Sequence, residues 1–335
     1  MKISAKAPCR VDMAGGTIDI WPLYLFHAHP VTVNFAVDRY ASCVVQTRND
    51  RQIRLRSLDL KGEESFPSLA ELRVARKYRL PLAAYVIRYF APATGLDVTT
   101  DSEAPAGAGI SGSSTLIIAL CSALNRLTGS GWPIEKIREI AQNIEAQIIR
   151  VPIGCQDYYP AMYGGVSAIE LTEAGIQRRP VKIDLEDVNE RVLLAYTGVP
   201  RNSGINNWEV MKAHIDGDRV VGRNFDRIAA IACAMRAALE KADWKEVARL
   251  LREEWSHRRK NAPGISTPLI DRLVKVTRRH GSVGAKVCGA GGGGCVFFLV
   301  ERGAKPRVAR AIEAEGARVL PVRVAPRGVQ LKTEA

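Results

Sequence analysis

The chain has 335 residues, of which 47% are hydrophobic and 25% charged, a balance that excludes a disordered or fibrous protein. No stretch approaches the roughly 18 uninterrupted apolar residues of a membrane span, and MKISAKAPCRVDM at the start has no apolar signal core, so a cytoplasmic protein with no membrane partner is expected. Lys and Arg number 48 against 35 Asp and Glu, a net charge of +13 that suits nucleic acid, a small anionic substrate or simply a solubilising surface.

In chain order, the first 60 residues or so predict strands. Residues 31–37 and 41–47 flank a short turn at Asp38-Arg39-Tyr40, and 51–57 alternates polar with apolar. Residues 82–90 predict a helix, 96–100 a short strand and 115–127 a strongly apolar helix. Another helix starts near Pro133 and carries Ile134, Ile137, Ile140, Ile144 and Ile148 at helical spacing. A second block begins near Arg191 with the buried-strand candidate RVLLAYTG. Helices follow around 224–241 and 244–260, the latter with a capping box from Asp243 to Glu246. Strand, glycine loop and strand over 283–300, a helix near 305–315 and a strand at 319–324 close the chain. The mixture predicts an α+β fold in two lobes, with domains 1–185 and 186–335. Seven cysteines, odd in number and with no C-x-x-C pair, predict reduced thiols rather than a zinc site or a disulfide framework.

Four segments carry chemistry. Residues 105–115 read PAGAGISGSST, a glycine-rich loop running into a helix, the arrangement that crowds backbone N–H groups and a positive dipole end around an anion. Gly107, Gly109 and Gly112 spell G-x-G-x-x-G, but 101–106 separates them from the preceding strand and no βαβ unit follows. Gly107 and Gly112 also have Walker spacing, with Ser113 where a Lys is required. A nucleotide site without a Walker Lys remains, alongside a plain loop with a Ser cap. The second segment, CGAGGGGC at 288–295, has a density of glycine whose entropic cost argues for close approach by a ligand, or else for a loose hairpin. The third is Gly154-Cys155-Gln156-Asp157-Tyr158 at a helix exit, with Glu145 on the helix before it. Such carboxylates suit proton acceptance and Mg²⁺ binding, or a turn and a solvated surface. The fourth is APCRVDMAGGTID at 7–19, a strand and glycine turn presenting Thr17 and Asp19, with Arg10 able to pair with an acid or a phosphate.

Together, in order and spacing, the four segments resemble those of the GHMP kinase superfamily over nearly the whole chain. PAGAGISGSS resembles its ATP-binding second motif, GAKVCGAGGGGC its third and APCRVDMAGGTID its first. AGGTID, VNFAVDRY, RSLD, GCQDYY, YTGVPRNS and APRGVQL are most similar to the D-glycero-D-manno-heptose 7-phosphate kinase group. The resemblance implies a ribosomal-protein-like N-terminal α/β domain and a ferredoxin-like C-terminal α+β domain. It implies a kinase using ATP and Mg²⁺ on a sugar or sugar-phosphate hydroxyl, with the anomeric hydroxyl of a heptose 7-phosphate first. Galactose, fucose, mannose, a uronic acid or a mevalonate-type alcohol are alternatives, and a non-catalytic ligand sensor or nucleic-acid-binding descendant is a reading of another class. A monomer or homodimer without nucleic-acid partners is expected.

Residue by residue, the resemblance makes Asp157 the group that takes or orients the hydroxyl proton, with Arg10 beside it. Pro105, Gly107, Ala108, Gly109, Ser111, Gly112, Ser113 and Ser114 wrap the phosphates, and Ser114 and Glu145 hold Mg²⁺. Asp19, Gly16, Thr17, Tyr158 and Gly291, Gly292 and Gly293 face the sugar, with Arg201 and Ser203 toward a sugar phosphate; residues near 57–59 and 82–88 border the adenine. Three departures fall in these motifs. Ile18 stands between Thr17 and Asp19, Ser111 follows Ile110 in the phosphate loop, and Tyr158 replaces the usual Gln after the catalytic Asp.

Overall fold

The computed structural model describes residues 1–200 and 203–334, and side chains throughout these except at 203–206. Strand β1 (Lys2–Ala14) lies antiparallel to β2 (Val31–Arg48), with Lys2 opposite Gln46 and Ala14 opposite Val33. Then come β3 (Ile53–Ser57), β4 (Gly62–Phe66), the short α1 (Leu69–Val74), α2 (Pro81–Phe90) and β5 (Gly95–Ser102). Strand β5 inserts between β2 and β3, antiparallel to the first and parallel to the second. Helices α3 (Gly112–Thr128), α4 (Ile134–Ile149) and α5 (Tyr158–Tyr163) follow, then the hairpin β6 (Val166–Thr172) and β7 (Gly175–Pro180). Helix α3 is apolar all round because it is central: it packs on β1 and β2 with α2 and α4 beside it, and 114–124 is buried at every position.

The second half begins with α6 (Leu185–Arg191) and β8 (Val192–Tyr196), followed by α7 (Ser203–Ile215), α8 (Arg219–Glu240), α9 (Trp244–Arg258) and α10 (Pro268–Arg278). Strands β9 (Ser282–Val287) and β10 (Cys295–Val300), helix α11 (Lys305–Ala314), β11 (Arg318–Leu320) and β12 (Gln330–Glu334) complete it. Among the described residues there are two sheets: eight strands, with β12-β1-β2-β5-β3-β4 in order and β6-β7 joined to β2, and four antiparallel strands ordered β11-β8-β10-β9. Strand β1 shows how the halves meet. From Lys2 to Lys6 buried positions alternate with exposed ones, whereas Ala7 to Ala14 is buried throughout. Ile3, Ala5 and Ala7 face the helical core, while Cys9, Val11 and Met13 join a second core with β10, α8 and α9, where the Phe35 and Phe297 rings meet edge-on at 5.7 Å. The C-terminal half of β1 is thus held on both faces, a rigid place from which to present side chains.

Three sequence expectations are corrected. Asp38-Arg39-Tyr40 is no turn: β2 runs through it for 18 residues, with a bulge where Tyr40 faces Pro8 and Val37 faces Cys9. Pro8 has no N–H for a regular ladder, and the extra residues are tied down by the Asp38 N–H donating to the Arg323 carbonyl at 2.9 Å. The strand expected at 319–324 is only three residues long and does not close the chain, since β12 returns to pair with β1 at Lys6 to Lys2. Its sequence QLKTE is a polar edge and carries no hydrophobic signal. Helices α1, α5, α6 and α7 and strands β4, β6 and β7 were not anticipated, most being short or weakly patterned, and α10 was not anticipated although Ile270 and Leu273 give it a clear buried face. The Asp243 cap is present and accepts from the Glu246 N–H at 3.0 Å, but the Glu246 side chain pairs with Arg249 instead of completing the box. Among the described residues no disulfide is formed and no helix is long and apolar enough to cross a membrane.

Candidate active site

A cleft of about 310 Å³ opens between the two halves, bounded by the end of β1, the 105–114 loop, the 153–158 turn, α9 and the start of the 289–294 loop. Arg10 reaches it from the doubly covered half of β1 and is 2% exposed. Its Nε and Nη2 donate to one oxygen of Asp157, Oδ1, at 2.8 and 2.6 Å, and its Nη1 donates to the Gly109 carbonyl at 2.8 Å. One guanidinium therefore fixes both the acid and the glycine-rich 105–114 loop. The Asp157 side chain is 27% exposed, and its other oxygen has no hydrogen-bond partner among the described residues. Burial alone would lower the Arg10 pKa; Asp157 and Asp12 outweigh it and hold the guanidinium above its ordinary range.

Asp12 lies two residues beyond Arg10 on the same strand face and is fully buried. Its carboxylate pairs with Lys286 of β9, accepts from the Gly289 N–H at 3.0 Å, and lies 3.4 Å from Arg10 and 3.9 Å from Arg258. Burial would raise the Asp12 pKa, but Lys286, Arg10 and Arg258 hold it far below the usual carboxylate range. Glu254 of α9 completes the cluster, 3.4 Å from both Lys286 and Arg258. Three carboxylates (Asp12, Asp157, Glu254) thus meet three cations (Arg10, Lys286, Arg258), and the charge balances.

Across the cleft, α3 starts at Gly112 with no side chain capping its first N–H groups, and the residue before it, Ser111, takes a left-handed φ of 64°. Gly107 and Gly109, at φ 68° and 78°, turn the loop toward that helix end. Ser113 donates to Glu145 Oε1 at 2.5 Å and Tyr158 donates to Oε2 at 2.6 Å, with Ser114 also within hydrogen-bonding reach. Burial raises the Glu145 pKa against these donors, and burial beside Glu145 raises Tyr158 well above its usual value. Asp19 is also buried, with Oδ2 accepting from the Gln156 N–H at 2.8 Å. Burial pushes its carboxyl up to about 6 despite that bond. Two cleft-lining oxygens, Ser111 Oγ and Gln156 Oε1, are buried without a partner among the described residues.

The family models for the GHMP kinases N terminal domain and GHMP kinases C terminal match residues 76–165 and 235–318. The chain belongs to the GHMP kinases. That places it among the small-molecule phosphotransferases. It is 26% identical over 320 residues to D-glycero-alpha-D-manno-heptose 7-phosphate kinase of Campylobacter jejuni, covering 93% of this chain and 94% of that one. It is 26% identical over 328 residues to L-fucokinase/L-fucose-1-P guanylyltransferase of Bacteroides fragilis, covering 88% of this chain but only 34% of that longer protein. The solved D-glycero-D-manno-heptose 1-phosphate kinase of Bacteroides thetaiotaomicron superposes with a TM-score of 0.79 at 23% identity, covering 99% of both chains, a likeness of fold.

Within this GHMP kinase, the cleft gathers Arg10, Asp157, Asp19, Thr17, Tyr158, Glu145 and the 105–114 loop, with Asp59 and Leu82 on its wall as well. It does not gather Gly291, Gly292 and Gly293. A Cβ on Gly291 would meet the Ile265 carbonyl at 2.5 Å and one on Gly293 the Val199 carbonyl at 2.8 Å, so their glycines make room for the protein's own backbone, and only Gly289 and Ala290 reach the cleft. Gly16 likewise faces inward, where its Cβ would fall 2.3 Å from Arg258 Nη1. Arg201 and the Ser203 side chain lie outside the described residues. Sequence reasoning missed Asp12, Lys286, Glu254, Arg258 and Gln156. The first two had a signal: a charge inside an otherwise apolar strand has to be paired.

Proposed function

We propose that this GHMP kinase transfers the γ-phosphoryl group of ATP to a hydroxyl of a sugar or sugar phosphate, with the anomeric hydroxyl of a heptose 7-phosphate as the leading acceptor. The observation that carries the reading is Asp157 held through one oxygen by Arg10 on the wall of a cleft that buried Asp19 and the uncapped start of α3 also line. The acceptor oxygen attacks the γ-phosphorus, its proton passes to Asp157, and the bond to the bridging oxygen breaks to release ADP. Arg10 and the α3 N–H groups are fixed before the reaction, so charge moving onto the phosphate meets an environment that needs no rearrangement. Asp19 and Gln156 Oε1 accept from sugar hydroxyls and orient the ring.

Glu145 with Ser114 and Ser113 is an oxygen donor set suited to Mg²⁺, which keeps few protein ligands and takes the rest from phosphates and water. Bound there, Mg²⁺ would neutralise phosphate charge. The similarity to a heptose 7-phosphate kinase over nearly the full length of both chains supports the heptose acceptor, and the equal identity to a fucokinase supports an unphosphorylated sugar as the second reading. ADP release from Mg-ATP over heptose 7-phosphate, mannose, galactose, fucose, glucuronate and mevalonate separates them. Turnover with heptose 7-phosphate alone supports the first reading, and turnover with fucose but not the heptose removes it.

A further inference from the structure

We infer that Asp12 is a positioning residue for phosphoryl transfer, sharing the Arg10 guanidinium with Asp157 and tying it to the third glycine segment. Its role in turnover rests on the reading of Asp157 above; its electrostatic effect on Asp157 does not. Arg10 has three nitrogens to distribute. Nε and Nη2 go to Asp157, while Nη1 goes to the Gly109 carbonyl and faces Asp12 Oδ1. The second lobe of the Asp12 carboxylate is taken by Lys286, whose Nζ also donates to the Asp12 carbonyl at 3.3 Å. The Gly289 N–H closes the connection, so the residue that starts the cleft-facing part of the third glycine segment is bonded to the residue that steers Arg10.

The consequence is electrostatic and has a sign. Apart from Asp157 itself the cluster sets two carboxylates, Asp12 and Glu254, against three cations, so Asp157 faces a net charge of +1. Neutralising Asp12 raises that charge by one and frees Arg10 from its second carboxylate, which makes Asp157 a weaker base. Neutralising Lys286 lowers that charge by one and does the reverse. Asp19, Glu145, Cys155, Tyr158 and Cys288 also face Arg10 or Asp157, and they are the same in each variant.

The test is the pH titration of the Asp157 carboxyl by ¹³C NMR in the full chain, assigned with Asp157→Asn. Asp12→Asn is expected to move the midpoint down by about one pH unit and Lys286→Met to move it up by a similar amount. The double variant, which removes a buried pair together and is the one expected to fold best, returns it close to the wild type. Shifts in the same direction, or no shift in either single variant, would overturn the inference; loss of stability alone moves neither midpoint. If a single variant does not fold, Glu254→Gln takes its place, with a smaller downward shift expected and an upward or absent one contradictory. In turnover assays with the sugar panel, Asp12→Asn lowers kcat about tenfold with KM for ATP within about twofold, and a KM effect alone contradicts positioning. A wild type that turns over no sugar while the opposite shifts persist removes the kinase reading and leaves the electrostatic coupling standing.

Discussion

The glycine segments at 105–112 and 289–294 look alike in sequence and are used in opposite ways. The first presents its backbone to the cleft: Gly107 is exposed, Ser111 leaves an unpartnered hydroxyl, and the α3 N–H groups stand open. From Gly291 onward the second is spent on the protein itself. The Gly292 N–H donates to the Ile265 carbonyl at 2.9 Å and Gly294 to Val199 at 2.9 Å, while the Cys295 N–H donates to the Ala108 carbonyl at 2.7 Å. That last bond joins the two, so the inward-facing segment is the frame on which the outward-facing one is mounted. Groups aimed at the cleft should then cost stability and govern ligands, whereas groups aimed inward should supply stability.

Gly294→Ala is the severest way to break that distinction. Its Cβ would stand 2.6 Å from the Ala108 carbonyl at φ 73°, so a loss of about 3 kcal/mol or more is expected in denaturant unfolding. A nearly unchanged midpoint would mean the two segments are not mechanically joined. Asp19→Asn is expected to act with the opposite sign. The folded Asp19 carboxyl sits near 6 against an ordinary 3.8, so the folded state binds its proton more tightly. Stability is therefore full below about pH 4 and falls as pH rises through 6. The substitution removes this loss, gaining roughly 3 kcal/mol at pH 8 and little at pH 4. Equal effects at both pH values would mean that the carboxylate costs nothing. Ser114→Ala sharpens the ligand side: the Mg²⁺ needed for half-maximal activity should rise about tenfold, and an identical titration removes Ser114 from the cation site. Smallest is Gly107→Ala, expected to cost about 1 kcal/mol at its positive φ while weakening ATP binding severalfold. A larger loss of stability than of ATP affinity would make it a framework glycine like Gly294.

The same contrast explains what was legible in the sequence. Arg10, Asp157, Glu145 and the 105–114 loop could be singled out because each sits in a short local pattern, while their roles were implied only by the resemblance that the four patterns carry together. The function of 291–293 could not, because whether a glycine makes room for a ligand or for a carbonyl depends on Ile265 and Val199, residues far away in the chain. Asp12, Lys286, Glu254 and Arg258 come from β1, β9 and α9, and their pairing exists only once the two halves are packed. Strand β12 was missed for a related reason: its place is fixed by hydrogen bonds to β1, not by apolar side chains. The bulge at 38–39 looked like a turn because polar residues interrupt an apolar run, and only the pairing to Pro8 and Cys9 keeps β2 continuous.

The central proposal is that Asp157, held by Arg10 beside the 105–114 loop, accepts the proton of a sugar hydroxyl. The most direct test measures ADP release from Mg-ATP across the sugar panel by the wild type and Asp157→Asn, with ATP binding to both followed by calorimetry. The account predicts sugar-dependent turnover that falls about a thousandfold or more in the variant while ATP affinity stays within about twofold. A variant that keeps its turnover, or loses ATP binding in step with it, would contradict the account.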